Sequence, residues 1–153
     1  MNEIDGWIAQ LQSAGSADAR AKAAEELGEF GGAAAAAALR QALTDPTSAV
    51  RVSAALALGE LRDAGASELL LPLLSSAEPN ERGAAAVALG QIGGHAAALL
   101  ALRRDPSAAV RGALAWALGT LGDPQARETL AALAMDADPE VADAAREAQR
   151  KLV

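Results

Sequence analysis

Apolar residues recur along this chain with helical spacing, and the whole pattern repeats about every thirty residues. The clearest copy runs from Asp105 to Pro124 and reads DPSAAVRGALAWALGTLGDP. Within it Leu114, Leu118 and Leu121 fall on one helical face, because residues three, four or seven apart lie above one another. Asp-Pro at its start supplies an N-cap and a first-turn proline, and Gly122 suits its end. The stretch predicts one amphipathic helix with a buried stripe.

One arginine marks the same position in each of four copies. The arginines lie 31, 31 and 29 residues apart, and a glycine follows each of them by eight residues. Apolar residues also follow each arginine by three, seven and ten residues. The arginines are Arg20, Arg51, Arg82 and Arg111, and the glycines are Gly28, Gly59, Gly90 and Gly119. A fixed period of this length indicates a solenoid of stacked units.

A second apolar segment follows each of these helices. Glycines at 31–32, 93–94 and 122 separate the two segments, at positions where a helix favours a left-handed residue. Each unit is therefore predicted to consist of helix A, a tight turn and helix B. The B segments are predicted at 33–43, 66–74, 95–102 and 124–135.

The predicted fold is an all-α α-solenoid, a right-handed superhelix of about five stacked helical hairpins in one domain, 1–153. The opening helix, 2–12, turns Ile4, Trp7, Ile8 and Leu11 inward. The repeats are placed at about 14–44, 45–75, 76–104 and 105–135, and a closing helix at 139–152. The closing helix is polar, as suits an end unit without a neighbour. The third unit is two residues short, which predicts a shorter B helix and a local change in curvature.

Composition and charge narrow the class of partner. Hydrophobic residues make up 52% of the chain but aromatics only 2%, so the core must consist of Ala, Leu and Val in closely packed helices. The 13 basic and 20 acidic residues give a net charge of −7, which argues against nucleic acid as a partner. We expect no membrane span and no signal peptide, because apolar runs are short and the N-terminus is acidic. The lack of cysteine is compatible with a cytoplasmic location.

The repeated residues resemble the HEAT-like repeats of the phycobilisome lyase type. That pattern appears here as Asp105, Pro106, Val110, Arg111, Ala113, Leu118, Gly119, Leu121, Gly122 and Asp123. The segment 45–63 matches nearly as well, and the resemblance covers about 14–153. It implies a ladder in which each arginine bonds carboxylates or carbonyls between adjacent units. Asp45, Asp105 and Asp136 occupy the acidic position six residues before the arginine position, where the third unit has Ser76.

No residue pattern predicts a catalytic, cofactor or metal site. His95 is the only histidine, and one histidine without cysteine cannot form a usual zinc site. A di-iron hydroxylase in the resembling group uses paired His-Glu motifs, and none occurs here. Phosphate-binding loops and nucleophile–histidine motifs are also missing. Lyases of the resembling family act on bilins, often as two-subunit assemblies, but this chain has few aromatic side chains to surround a tetrapyrrole.

Three functions stay open at this level. The favoured one is a non-enzymatic protein–protein interaction scaffold or adaptor, which solenoids commonly provide. The resemblance also allows a bilin lyase-type enzyme or accessory subunit. The last alternative is an artificial repeat protein without a native partner, although the irregular units argue against it.

Two surfaces are candidates for binding a protein or peptide partner. On the outer, convex side, positions one and five after the arginine predict an apolar ridge of Val52, Leu56, Val87 and Trp116, where the first unit has Glu25. Such a ridge marks an interaction site for a partner or for a second copy of the chain, or else it is half-covered core. The inner, concave face is predicted to present mixed residues to a helix or extended peptide: Gln41, Thr44, Glu68, Pro72, Ser75, Arg104, Glu128 and Met135. Which face binds is left open.

Overall fold

Ten α-helices and four short 3₁₀ segments form the chain in a computed structural model, which describes residues 2–152. No β-strand occurs among those residues. The α-helices are α1 Glu3–Ser13, α2 Ala17–Phe30, α3 Ala33–Ala42, α4 Ser48–Glu60, α5 Ser67–Leu70, α6 Pro79–Ile92, α7 Ala96–Leu99, α8 Ala108–Leu121, α9 Arg127–Leu133 and α10 Pro139–Lys151. The 3₁₀ segments are Ala64–Ala66, Leu71–Ser75, Leu100–Arg104 and Pro124–Ala126.

The helices lie in two layers that follow the order of the chain. Helices α2, α4, α6, α8 and α10 each pack along the next one, and they form the A layer. The B layer contains α3, α5, α7 and α9 with their 3₁₀ segments, which pack beside the A helices. Helix α1 contacts α2 and α3, so it begins the B layer. The predicted all-α solenoid is confirmed.

The buried stripe is narrower than the sequence predicted. Leucines seven residues after each arginine, and the residues three after it, are fully buried between the layers: Leu27, Leu58, Leu89, Leu118, Ala23, Ala54, Ala85 and Leu114. The residues ten after the arginine lie at the end of each A helix instead. Leu61, Ile92 and Leu121 are half-buried there, and Phe30 is 43% exposed. Burial therefore decreases toward the end of each A helix.

The Asp-Pro start signal is correct for one helix and misplaced for two. Asp138 caps α10 directly, accepting hydrogen bonds from the backbone N–H groups of Glu140 and Val141. Helices α4 and α8 instead begin after Thr47 and Ser107, two residues beyond the aspartate. The carboxylates of Asp45 and Asp105 face arginines of the preceding units, so they do not cap these helices.

The repeated glycine permits close approach between adjacent A helices. A Cβ added at Gly59, Gly90 or Gly119 would lie 2.7–2.8 Å from the alanine Cα of the next A helix, closer than van der Waals contact allows. At Gly28 the added Cβ would lie 3.2 Å from Ala57 Cα and 2.9 Å from Ala57 Cβ. The facing alanines are Ala57, Ala88, Ala117 and Ala148. Glycine at this position therefore sets the spacing of the A layer.

Left-handed residues end the A helices where the sequence predicted them. Gly31, Gly93 and Gly122 have φ values of 73°, 99° and 66°. The second unit places Arg62 at the same position with φ 50°, although it is not glycine. The third B segment, 96–104, has nine residues against ten in α3. The predicted change in curvature and the division into repeats stay predictions.

Candidate interaction surfaces

A ladder of arginine–carboxylate contacts ties each unit to the next. Arg20 donates two parallel hydrogen bonds to Asp45, from Nε to Oδ2 at 2.8 Å and from Nη2 to Oδ1 at 3.0 Å. Its Nη1 also donates to the carbonyl of Ala14 at 2.9 Å, in its own unit. Bidentate contact fixes direction as well as distance. The arginine thus sets the position of the following A helix relative to its own.

Two further steps of the ladder repeat this geometry. Arg82 holds Asp105 through Nε and Nη2 at 2.7 and 2.9 Å, and Arg111 holds Asp136 at 2.8 and 3.0 Å. The same aspartates accept a hydrogen bond from the backbone N–H two residues later, at 2.9 Å in each case. Each of these carboxylates therefore accepts three hydrogen bonds from protein groups, which fixes its orientation in the ladder.

The third unit lacks the aspartate, and a different carboxylate forms the ion pair there. Ser76 stands at the acidic position, and Arg51 pairs instead with Glu81 on α6. Glu81 is only 3% exposed and occupies the position that buried valines fill in other units, namely Val50, Val110 and Val141. Sequence reasoning missed Glu81. The sequence did contain a signal for it: the third unit, which has Ser76 in place of the aspartate, has an acidic residue where other units have valine.

The arginines hold the ladder carboxylates in the charged form. Hydrogen bonds from the arginines are the main cause that lowers the pKa of Asp45, Asp105 and Asp136. At Glu81 the largest single effect is burial, which raises the pKa. The side-chain hydrogen-bonding environment of Arg51, Ser48 and Ser76 together outweighs burial, so the pKa is lowered overall. The ladder is thus a set of ion pairs that neutral pH favours.

The outward surface of the A layer is here called the A face, and it contains the four residues of the predicted ridge. Val52, Leu56 and Val87 are half-buried, and Trp116 is 39% exposed. The first three line one shallow groove, whose other lining residues include the small Gly83 and Ala113. Trp116 lies one helical turn beyond Ala113 on α8. The structure therefore brings these residues to one surface and leaves each of them partly in water.

Carboxylates surround one end of this groove. A second shallow pocket is lined by Glu25, Glu29 and Glu60 together with Leu56, which both depressions share. Glu25 accepts a hydrogen bond from the Ser53 hydroxyl at 3.3 Å. Within residues 2–152 none of these three carboxylates forms a salt bridge.

The outward surface of the B layer, here called the B face, holds the second predicted set in separate places. Arg104 and Glu128 line a common groove of about 470 Å³, with Arg103, Gln125 and Thr129. Gln41 lies in another groove, beside α1. Glu68 lies 3.8 Å from the His95 ring, between their Oε1 and Nε2 atoms. Met135 is 84% exposed and lines neither groove. The B face therefore presents mixed charge without a continuous surface among these residues.

Among residues 2–152 no three or more His, Cys, Asp or Glu side chains are grouped to bind a metal ion. His95 precedes α7 in a left-handed conformation, after two glycines that also have positive φ. No helix in this part of the chain is both long and apolar enough to cross a bilayer.

Helical hairpins stacked in two layers, with successive units joined by a repeated ion-pair ladder and a close glycine–alanine contact, define an α-solenoid. The sequence matches the profile of HEAT repeats over residues 4–90, 48–101 and 67–150. The chain therefore belongs to the HEAT repeat family.

Solved structures of similar fold include natural and designed proteins. The chain is 27% identical to a protein of the CpcE–CpcF complex of phycocyanin lyase from Nostoc sp. PCC7120, with a TM-score of 0.84; the match covers all of this chain and 66% of that one. This confirms the resemblance to phycobilisome lyase repeats. An engineered protein is 24% identical with a TM-score of 0.76, covering 99% and 81%. A designed armadillo repeat protein, solved with the peptide (KR)4, is 20% identical with a TM-score of 0.68, covering 99% and 87%. No curated protein sequence matches the chain.

Proposed function

We propose that this HEAT-repeat chain is a non-enzymatic scaffold or adaptor that binds a partner protein on its A face. One observation carries the proposal. At the fifth position after the arginine, the three middle units place Leu56, Val87 and Trp116, whereas the outer helices α2 and α10 place Glu25 and Glu147. Stacking requires apolar residues between layers and between units, but not on the outward surface. An apolar row that stays partly in water there is typical of an interaction site.

The most exposed member of this row strengthens the proposal. Trp116 is one of four large hydrophobic residues in the described chain with an exposed side chain. Tryptophan is enriched among the residues that dominate binding energy at interfaces. The A face also offers a continuous groove beside it, whereas the predicted B-face residues lie apart. The lack of cysteine fits a reducing, cytoplasmic setting for such an adaptor.

Affinity capture with matched variants tests this function. Wild type, Trp116→Ser and Met135→Ser would be immobilised separately, and proteins captured from the source lysate would be quantified by mass spectrometry. We expect Trp116→Ser to lose the specifically captured partner and Met135→Ser, which removes an exposed apolar residue from the B face, to retain it. Circular dichroism would verify that both variants are folded. Retention by Trp116→Ser with loss by Met135→Ser would move the binding site to the B face. An absence of any saturable capture would favour an artificial repeat protein.

A second candidate function is an accessory or catalytic subunit of bilin lyase type. Its support is the 27% identity to a protein of the phycocyanin lyase complex across the whole of this chain. The chain spans just under two thirds of that protein, so the activity of the whole lyase does not transfer with the likeness. Mixing the chain with a bilin and its carrier protein tests this function, because covalent attachment would change the bilin absorbance spectrum. An unchanged spectrum, with and without a second HEAT-like subunit, would exclude it.

A further inference from the structure

We propose that the A face binds a cationic amphipathic helix of the partner protein. Its apolar side chains lie along Leu56, Val87 and Trp116, and its basic end lies over Glu25, Glu29 and Glu60. The inference rests on the proposed scaffold function and adds the chemistry of the partner.

Charge at one end of the groove selects a basic partner. Some other carboxylates on the outer A helices are paired within the chain, namely Glu26 with Lys22, Asp143 with Arg146, and Glu147 with Arg150, whereas Asp18 and Glu140 form no salt bridge in the described chain. Within residues 2–152, Glu25, Glu29 and Glu60 form no salt bridge, and they line one pocket between α2 and α4. Lys22 acts on Glu25 and Glu29 only from beyond salt-bridge distance. Three grouped carboxylates attract a cationic segment and repel an acidic one.

The apolar groove continues directly from this acidic pocket. Leu56 lines both depressions, so apolar contact begins where the carboxylates end. The next stretch is lined by Val52, Val87 and Ala113. At Gly83 an added Cβ would have Ala113 Cβ at 3.8 Å as its nearest neighbour, so the groove is open at that point. Small residues here leave room for inserted side chains of the partner.

The spacing of the A helices favours a helical partner over an extended one. Closely packed helices lie about 8–10 Å apart, and a helix rises about 10.5 Å over seven residues. One apolar residue in every seven would therefore meet α4, α6 and α8 in turn. In the opposite direction, the residue seven positions before the one at α4 would reach α2. An extended strand spans about 10 Å in three residues, but residues an odd number apart point to opposite faces.

Charge also argues against a second copy as the occupant. The chain has a net charge of −7, and Glu25, Glu29 and Glu60 lie at one end of the apolar row. Two apposed A faces would repel where their acidic ends meet, and the net negative charge of both copies adds to that repulsion. Like charges at an interface suppress that pairing.

A synthetic peptide provides the test. A helix-forming peptide of about 24 residues, long enough to span four A helices, would carry Leu at every seventh position and Lys at one end. Its binding to the full chain would be followed by fluorescence anisotropy. The matched variants are E25K/E29K on the A face and E68K/E128K on the B face. Both pairs replace exposed glutamates and change the net charge equally.

We expect the wild type and E68K/E128K to bind the basic peptide with similar affinity, and E25K/E29K to bind at least about tenfold more weakly. Added salt should weaken wild-type binding, because the charges are exposed. A peptide with Glu in place of Lys should prefer E25K/E29K. In a Trp7→Phe background, the emission of Trp116 should shift to shorter wavelength as the peptide covers it.

Three results would overturn the inference: no binding of the basic peptide to the wild type, equal loss in both charge variants, or a dimer in light scattering that Trp116→Ser abolishes. The last result would assign the face to a second copy. If the basic peptide fails while lysate capture still depends on Trp116, the scaffold function stands and only the partner chemistry is wrong. If both fail, the proposed function fails too.

Discussion

Glu81 shows how one unit keeps its contact after losing the usual residue. Its carboxylate comes from a helix position that is apolar in the neighbouring units, and it reaches the same arginine that an aspartate at Ser76 would serve. Placing a charge among apolar groups costs free energy unless the charge is paired and hydrogen-bonded. Arg51 provides that pairing through hydrogen bonds from its Nε and Nη2 to one Glu81 oxygen. The two departures from the repeat are therefore coupled.

A double-mutant cycle on this pair tests the coupling. Glu81→Val alone leaves Arg51 without a carboxylate and should lower the free energy of unfolding by about 1–3 kcal/mol. Ser76→Asp alone brings a second carboxylate to one arginine and should also destabilise. The double variant recreates the arrangement of Arg20 with Asp45, so we expect it to recover most of the loss. Urea unfolding monitored by circular dichroism would give the four values, and strict additivity would show that the sites are independent.

Arg62 has the left-handed conformation that other units assign to glycine. Its N–H donates to the Gly59 carbonyl at 2.9 Å, and the N–H of Asp63 donates to the Leu58 carbonyl at 3.1 Å, which closes the helix end. A side chain at positive φ costs about 1 kcal/mol, which glycine would avoid. Part of this stabilisation is lost because glycine gives the unfolded chain more conformational freedom. Arg62→Gly should therefore raise the melting temperature by about 1–2 °C. Arg62→Ala, which keeps a Cβ there, should give no increase, and an equal increase would show that loss of the charge is responsible.

At the scale of the element, the A helices depend on where their glycines lie. Helix α8 contains two of them with opposite surroundings. A Cβ at Gly119 would meet the Cβ and Cα of Ala148 at 2.7 and 2.8 Å, whereas a Cβ at Gly112 would meet nothing within 4 Å. A glycine-to-alanine substitution at each of these two positions therefore distinguishes the effect of helix propensity on stability from the effect of packing.

We expect Gly119→Ala to destabilise and Gly112→Ala to stabilise the chain. Alanine gains about 1 kcal/mol of helix propensity at either site. At Gly119 overpacking costs about 1–3 kcal/mol and pushes α10 away from α8. Thermal unfolding of the two variants measures both effects. A stabilising Gly119→Ala would mean that the A helices can separate without cost, and the glycine would then have no role in their spacing.

For the whole molecule, the ladder makes stability depend on acid. The pKa values of Asp45, Glu81, Asp105 and Asp136 are lower in the folded chain than in the unfolded chain. The unfolded state therefore binds more protons in this range, and stability falls as pH falls. The contribution is fully present above the unfolded values near pH 4 and is lost as pH falls through the folded values.

The melting temperature between about pH 6 and pH 2 measures this dependence. Asp136→Asn removes one ladder carboxylate and should both lower the melting temperature at neutral pH and flatten its fall in acid. Glu128→Gln is the control, because Glu128 is exposed and has no salt bridge in the described part of the chain. An acid dependence that Asp136→Asn leaves unaltered would show that the ladder does not contribute to it.

The sequence alone determined the repeat, the helix pairs and most of the buried leucines. These follow from local rules, since helical periodicity, glycine at helix ends and a fixed period depend on residues near one another in the chain. The same rules misplaced the start of α8, because Asp105 makes its contact with Arg82, 23 residues earlier. Local patterns cannot report a competition between a cap and a distant arginine.

Only the tertiary structure decided which groups meet across units. Glu81 replaces an aspartate that lies elsewhere in the repeat, and the packing of α6 against α4 brings it to Arg51. The apolar ridge was predicted residue by residue, but the acidic pocket beside it depends on how α2 and α4 pack. The physical reason is the same in both cases. Contacts between units depend on the relative position of whole helices, which is set by the glycine spacing and the arginine ladder together.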